Sequence, residues 1–377
     1  MAQLSDKITF TDEQAMLLDI ATSFFREKGA IGAVRRQIAS ESGLDRELWN
    51  EIAELGWLGV AVPERFGGSG LSLADVAVIV EPMGRHLAGT PFVSTQLFIQ
   101  ALLAGGTDQQ QREMLPKICR GAVGTVALFE SDGDWNLEHI ECSAEVAGDA
   151  ARLSGAKTLV CDAAAADFVL VSVALDGAPA LAIVAAADLP RERRTRETVI
   201  DETRRAYRLD LAGVSVPVSS LITGDKARAA LKAIRNAALL FAAAEAAGGI
   251  AGALDLTVEY LNTRSAFGRK IGGYQSLKHT CADILVGLER TRSHLYHAAS
   301  LLAAGEDAEI ALRMAKVEAG DSFVFAGDRA IQFHGGFGFT YDCDAQLYLR
   351  RALWLQYSFG DAAHHRRKLA DLLLPAS

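Results

Sequence analysis

The hydrophobic period of this chain changes twice, and that double switch limits its possible folds more than any single motif. The first third reads at helical spacing. Thr11-Asp12-Glu13 is a helix-start signal, because a side-chain oxygen can satisfy free N–H groups and acids suit the positive end of the helix dipole. Met16, Leu17, Ile20, Ala21, Phe24 and Phe25 then recur at i, i+3, i+4 intervals. A second helix is predicted from about Asp45 to Leu55, with Leu48, Trp49, Ile52 and Leu55 on one side. Pro63 and Phe66-Gly67-Gly68-Ser69-Gly70 break the pattern, and Ser72–His86 and Thr95–Leu103 resume it. After about Gly121 the runs become short and apolar or alternating: Thr125–Phe129, Ala144–Ala147, Thr158–Cys161, Phe168–Val173 and Ala180–Val184. Glycine and aspartate separate them, which is the signature of a small all-β domain. From about Asp225 the helical period returns and persists to Leu374. It predicts four or five long helices interrupted at Gly248-Gly249, Phe267-Gly268, Gly305 and Gly335–Gly338. The order is therefore helical, β, helical.

Composition narrows the function classes. The 377 residues are 50% hydrophobic and 23% charged, enough for two or three domains with ample core. A net charge of −9 argues against nucleic acid as a partner, since phosphate-backbone binding needs a basic stripe. Five cysteines are scattered without CxxC spacing, so neither a disulfide framework nor a metal site is indicated. The opening MAQLSDKITFTDEQ has no apolar core of a secretory signal. No membrane insertion is expected, and a cytoplasmic location is.

Three clusters could carry chemistry. Asn236–Leu254 holds one charge in 19 residues, Glu245, among small residues that allow close helix approach. A carboxylate on such a surface is desolvated and could serve as a general base; the other reading is a structural glutamate paired with an arginine of another helix. Next, Arg264-Ser265-Ala266-Phe267-Gly268-Arg269-Lys270-Ile271-Gly272, followed by Tyr274-Gln275, sets three cations and three glycines around a helix-to-helix turn. Exposed N–H groups with Arg and Lys would cradle a phosphate and Phe267 would offer a flat face to a base; an ordinary glycine turn with surface cations is the alternative. The third, Gln332-Phe333-His334-Gly335-Gly336-Phe337-Gly338-Phe339, lets a ligand or another backbone approach closely. His364-His365 reads as a surface helix end rather than a metal site, and Arg191–Arg196 as a solvated loop.

The pattern Arg264-x-x-Phe267-Gly268-x-x-Ile271-x-x-x-Gln275, then Gln332-x-x-Gly335-Gly336-x-Gly338-Phe339, resembles the acyl-CoA dehydrogenase family. Leu55-Gly56-Trp57-x-Gly59-x-x-x-Pro63-Glu64-x-x-Gly67-Gly68 and the domain order extend the resemblance over the whole chain. It implies an α+β, mainly α fold, with an N-terminal helical domain (1–121), a middle β-barrel-like domain (122–224) and a C-terminal four-helix bundle (225–377). It also implies FAD, an acyl-CoA substrate desaturated to a 2-enoyl-CoA, and an electron-transfer flavoprotein as acceptor. Arg264, Phe267, Gln275, Gln332, Gly335 and Gly336 would contact the adenine and pyrophosphate of FAD bound mainly by a neighbouring subunit.

The positions matching the family's catalytic half depart from its pattern. The Tyr-Glu-Gly-Thr run that carries the base in many members reads Ser358-Phe359-Gly360-Asp361 here. The alternative base position falls at about Ala238-Leu239, again without an acid. Glu245 lies about two turns further along the same helix and could substitute. Thr-Glu-Pro-x-x-Gly-Ser-Asp becomes Phe129-Glu130-Ser131-Asp132-Gly133-Asp134, and the flavin-facing Trp and Thr become Leu159 and Cys161. That asymmetry resembles the small subunits of heteromeric bacterial acyl-CoA dehydrogenases, which act on steroid side chains or dicarboxylic acyl thioesters as α2β2 assemblies. A homo- or hetero-oligomer is expected, with Glu245 or a larger partner's carboxylate as base. The alternatives are a catalytically silent structural subunit, or the same fold running oxidase or hydroxylase chemistry.

Overall fold

The computed structural model describes residues 11–40 and 43–374; residues 1–10, on which the reading of a signal-free start mainly rests, lie outside the described residues. The first helices are α1 (Asp12–Lys28), α2 (Ile31–Ala39), α3 (Arg46–Glu54), α4 (Leu73–Arg85), α5 (Phe92–Gly105) and α6 (Asp108–Cys119). The start signal at Thr11 is a capping box: its hydroxyl accepts from the Gln14 N–H at 3.1 Å, and Gln14 Oε1 accepts from the Thr11 N–H at 3.2 Å. The Gln14 amide also donates to Asp75 Oδ1 at 3.0 Å, tying α1 to the first turn of α4. Helices α2 and α6 were not anticipated. Helix α6 is polar with an internal Pro116, and buries only Gln110, Leu115 and Ile118, so its apolar stripe is too thin to read.

The β region comprises β1 (Gly124–Ala127), β2 (Ser143–Ala147), β3 (Ala150–Ser154), β4 (Ala156–Cys161), β5 (Phe168–Leu175), β6 (Ala178–Ala185), β7 (Arg194–Glu197), β8 (Ala206–Asp210), β9 (Ser215–Pro217) and β10 (Leu221–Ile222). One sheet runs β10-β6-β5-β2-β3-β9, with β1 parallel to β5; a second runs β4-β8-β7. Strand β5 sits between neighbours and is buried on both faces, which explains its unbroken apolar run. The arginine-rich Arg191–Arg196 stretch, expected as a loop, instead ends in β7, where Arg194 pairs with Leu209 of β8. Its basic side chains lie on an edge strand, where charge is tolerated and blunts pairing with other chains.

The remaining helices are α7 (Gly224–Thr263), α8 (Gln275–Ala303), α9 (Glu309–His334), α10 (Ala345–Tyr357) and α11 (Ala362–Leu373), with a small hairpin of β11 (Ser265–Ala266) and β12 (Arg269–Lys270) between α7 and α8. The interruption predicted at Gly248-Gly249 does not occur, because α7 runs through it. Those glycines serve packing: a Cβ on Gly248 would lie 1.8 Å from the Glu81 carbonyl oxygen of α4, and one on Gly249 2.1 Å from the Phe323 ring of α9. Gly84 of α4 faces the Glu245 carbonyl oxygen of α7 in the same way, at 2.0 Å from a built Cβ. Helices α4 and α7 thus meet backbone to backbone. Helix α7 is long and apolar enough to cross a membrane, but 94% of its most apolar window is buried inside the protein.

By packing, the chain forms two compact units, neither continuous in sequence. One contains the described residues up to Arg36, Ser72–Ala88 and Leu239 onward; the other contains Gln37–Leu71 and Gly89–Ala238. The element type changes between Cys119 and Gly124 and again between Ile222 and Gly224.

Candidate functional site

The two glycine motifs belong to the same unit, which also contains α8 and α9. The hairpin turns at Phe267-Gly268, both with positive φ (+55° and +80°), as a two-residue turn of this hand requires. An aromatic residue there is uncommon, and the turn leaves the Phe267 ring 95% exposed. Arg269 stacks over Tyr274 at 3.9 Å, and the Lys270 ammonium donates to the Thr263 carbonyl at 2.6 Å. Both cations are thus engaged in holding the turn. Arg264 differs. It is exposed, and among the described residues its guanidinium has no hydrogen bond or ion pair. The exposed side-chain amides of Gln275 and Gln332 are equally unengaged among the described residues.

The second motif is joined to the first through Tyr260 and His334, whose rings stack at 4.2 Å. The Tyr260 hydroxyl donates to the His334 carbonyl at 3.4 Å, and His334 Nδ1 lies 2.7 Å from the Ala330 carbonyl, fixing a buried ring at the end of α9. The chain then turns at Gly335, with φ +60°. A Cβ on Gly335 or Gly336 would meet nothing within 4 Å, whereas one on Gly338 would lie 2.2 Å from the Ile331 carbonyl. Gly338 is therefore required by packing, and the other two leave the backbone open. The exposed groups of the two motifs, the platform, are an open backbone, a bare phenyl ring and, among the described residues, an unengaged guanidinium and two unengaged amides. That donor set fits a diphosphate and a purine ring.

Glu245 is placed differently. It is 3% exposed, and its carboxylate is ion-paired with the fully buried Arg351 of α10. This is the structural pairing that the sequence left as the alternative to a base. A buried charge without its partner is costly, so the two side chains require each other. Glu130, in the motif after β1, is likewise structural: it lies 2.6 Å from the buried Lys157 ammonium and accepts from the Glu141 and Cys142 N–H groups at 2.8 Å each.

The Ser358–Asp361 turn, between α10 and α11, has two consecutive positive-φ residues, Phe359 (+58°) and Gly360 (+111°). It is gripped from below. The buried Lys316 ammonium of α9 donates to the carbonyls of Gln356 at 3.0 Å and Gly360 at 2.9 Å. Burial lowers Lys316 to about 8, against the opposing pull of Asp361 and Asp321. His365, expected at a surface helix end, is instead buried, with Nδ1 3.2 Å from an Arg313 guanidinium nitrogen that only donates. Nδ1 is thus the acceptor and Nε2 carries the proton. Burial, then the Lys316 and Arg313 charges, pushes the His365 imidazole down to about 3. Arg313 is held in turn by Glu309 through contacts of 2.7 and 3.2 Å. Sequence reasoning missed Lys316 and Arg313. Their only signal was two cations at i, i+3 on an otherwise apolar helix face.

On the β side, strand β4 is irregular between Lys157 and Val160, and Leu159 there takes φ +52° with 42% of its surface exposed. The Glu197 carboxylate of β7 spans the irregularity: one oxygen accepts from the Thr158 hydroxyl, the other from the Leu159 N–H at 2.7 Å. Cys161 follows, half-buried, with its Sγ 3.9 Å from the Leu159 carbonyl oxygen.

With these arrangements in hand, the chain matches the family models for the acyl-CoA dehydrogenase N-terminal domain over residues 11–122 and C-terminal domain over 227–374. It belongs to the acyl-CoA dehydrogenase family, whose members are flavin-dependent oxidoreductases. Among its relatives is the acyl-CoA dehydrogenase IpdE2 of Mycolicibacterium smegmatis, 30% identical over 361 residues and covering 95% of this chain and 98% of that protein. Similar solved structures include a variant of the Tcur3481-Tcur3483 steroid ACAD (31% identity, TM-score 0.85, 96% of this chain and 98% of that one). Another is the ChsE4-ChsE5 complex from Mycobacterium tuberculosis (25% identity, TM-score 0.88, 99% and 100%).

Proposed function

We propose that this chain is the FAD-completing subunit of a heteromeric acyl-CoA dehydrogenase, with the proton-abstracting carboxylate donated by a larger partner in an α2β2 tetramer. Arg264, Phe267, Gln275, Gln332, Gly335 and Gly336 would hold the adenine and diphosphate end of FAD. When bound, FAD would supply the acceptor for the hydride leaving the β carbon of the acyl thioester, with an electron-transfer flavoprotein as its reoxidant. This chain's own residues bind and orient. A single observation carries the reading: the platform is exposed and unengaged, whereas Phe359, Ala238 and Leu239 are apolar and Glu245 is turned inward to Arg351. The likeness to a steroid acyl-CoA dehydrogenase and to a two-component complex supports a bulky steroid side-chain acyl-CoA as substrate.

The test is flavin absorbance and native mass of the chain purified alone and together with a co-expressed larger subunit. The reading expects little FAD in the isolated chain and stoichiometric FAD in the complex, diminished by Arg264→Ala. A homo-oligomer of this chain alone that retains FAD and desaturates an acyl-CoA contradicts it.

A further inference from the structure

The platform is drawn from two distant stretches of chain, and one ring pair joins them. Tyr260 and His334 are 74 residues apart in sequence, and their rings stack at 4.2 Å with 28° between their planes. On the first side, the Arg264 N–H donates to the Tyr260 carbonyl at 2.9 Å, so Arg264 follows Tyr260 by one turn on the same helix face. The Arg264 carbonyl accepts from the Ile271 N–H at 3.0 Å, closing the base of the hairpin. On the second side, the Gly335 N–H donates to the Gln332 carbonyl, and the Tyr260 hydroxyl reaches the carbonyl of the His334–Gly335 peptide at 3.4 Å. The His334 ring is fixed in turn, because Nδ1 lies 2.7 Å from the Ala330 carbonyl, which only accepts. Arg264, Gln332 and Gly335 are thus held by backbone bonds on either side of a single stack.

We propose that Tyr260 and His334 are positioning residues for the platform: their stack sets the distance between Arg264 and the Gly335-Gly336 backbone, and neither gives FAD a group of its own. This rests on the reading above, that the platform takes the adenine and diphosphate end of FAD. A ligand gripped from two elements needs them held to about half an ångström, which only a supporting layer can do. The other cations of the hairpin do not serve here. Arg269 packs on Tyr274 and Lys270 binds the Thr263 carbonyl, both on the hairpin's own side. His334 is buried and Tyr260 half-buried with its hydroxyl engaged, as suits a strut rather than a contact.

The test is the rate at which FAD leaves the loaded assembly after dilution, followed by recovery of flavin fluorescence. The measurement is the same on a complex with the larger subunit or on an oligomer of this chain, so it does not depend on which neighbour completes the site. Tyr260→Leu removes the stack and is expected to speed release by about tenfold, the scale of losing the charge-assisted hydrogen bond assigned to Arg264. Tyr260→Phe keeps the ring and should stay within about twofold of wild type, since the hydroxyl contact it loses is long. His334→Gln can still donate to the Ala330 carbonyl but removes the stack from the other side. It should match Tyr260→Leu, and it carries the test if that variant does not fold. The deciding readout is Tyr260→Leu combined with Arg264→Ala. A residue that acts through Arg264 adds nothing once Arg264 is gone, whereas independent losses multiply to about a hundredfold. The double variant should therefore release FAD no faster than Arg264→Ala alone. Wild-type release from both Tyr260→Leu and His334→Gln would overturn the proposal, as would multiplied effects in the double variant. If Arg264→Ala itself released FAD at the wild-type rate, the platform would fall and the strut with it; faster release from Arg264→Ala beside silent Tyr260 and His334 variants removes the strut alone.

Discussion

Glycine and arginine do opposite work in two parts of one unit. Along the α4–α7 seam, Gly84 and Gly248 exist because a Cβ would collide with backbone, and Arg351 is buried against Glu245. On the platform, Gly335 and Gly336 have open space, Arg264 is unengaged among the described residues and Phe267 is bare. Residue type therefore does not separate structure from function here; what lies opposite each residue does. The seam's groups are matched within the chain, whereas those of the platform face open space.

The largest effect expected is at the seam. Gly248→Val should destabilise the chain by about 3 kcal/mol or more, because the Glu81 carbonyl is backbone and cannot step aside. Loss of soluble protein, or a sharply lowered unfolding midpoint, would show it. Glu245→Gln comes next. Leaving Arg351 buried beside a neutral amide should cost about 3 kcal/mol, read by chemical denaturation. A stability equal to wild type would mean the pair is not structural.

The buried His365, packed beside Arg313 of α9, gives a pH dependence. His365 is held neutral, with its folded value near 3 below an ordinary value near 6.5. In the window between them the unfolded chain binds more protons, so unfolding free energy should fall as pH drops from about 6.5 towards 3. His365→Gln should flatten that slope. An unchanged slope would contradict the buried, neutral assignment.

Effects at the platform should be smaller and should spare stability. Arg264→Ala is expected to leave the unfolding midpoint unchanged while weakening FAD retention in the assembled complex by about tenfold, the scale of one charge-assisted hydrogen bond. Gly336→Ala, with open space for its methyl, should leave folding unaltered and FAD retention within a few-fold. If it destabilised the chain as Gly248→Val does, the contrast between the two regions would fail.

Much of this was legible in the sequence, for identifiable reasons. The helical, β, helical order followed from periodicity, and the glycine motifs marked turns, since Gly268 and Gly335 have the positive φ that favours glycine. Gly248-Gly249 was misread as a break. Sequence shows that glycine is permitted at a position, but not whether a second backbone passes there. Strands β3 and β7 to β10 escaped: β7, β9 and β10 are short edge strands that carry little alternation, β7 is rich in arginine, and β3 and β8 are short interior strands of five residues each. Arg351, Lys316 and Arg313 were invisible as functional supports, since a buried cation is recognised by partners about 40 to more than 100 residues away: Gln356, Gly360, His365 and Glu245. Glu245 stood out through its isolation among small residues, but its role depended on Arg351.

The proposed division of labour gives this chain a cofactor platform and no base. It is tested most directly by mixing the assembled complex with an acyl-CoA under anaerobic conditions and following bleaching of the flavin, per bound FAD, for wild type and Glu245→Gln. The same bleaching rate is expected in both, with the variant differing only in stability. Loss of bleaching with FAD fully retained would make Glu245 the base and contradict it.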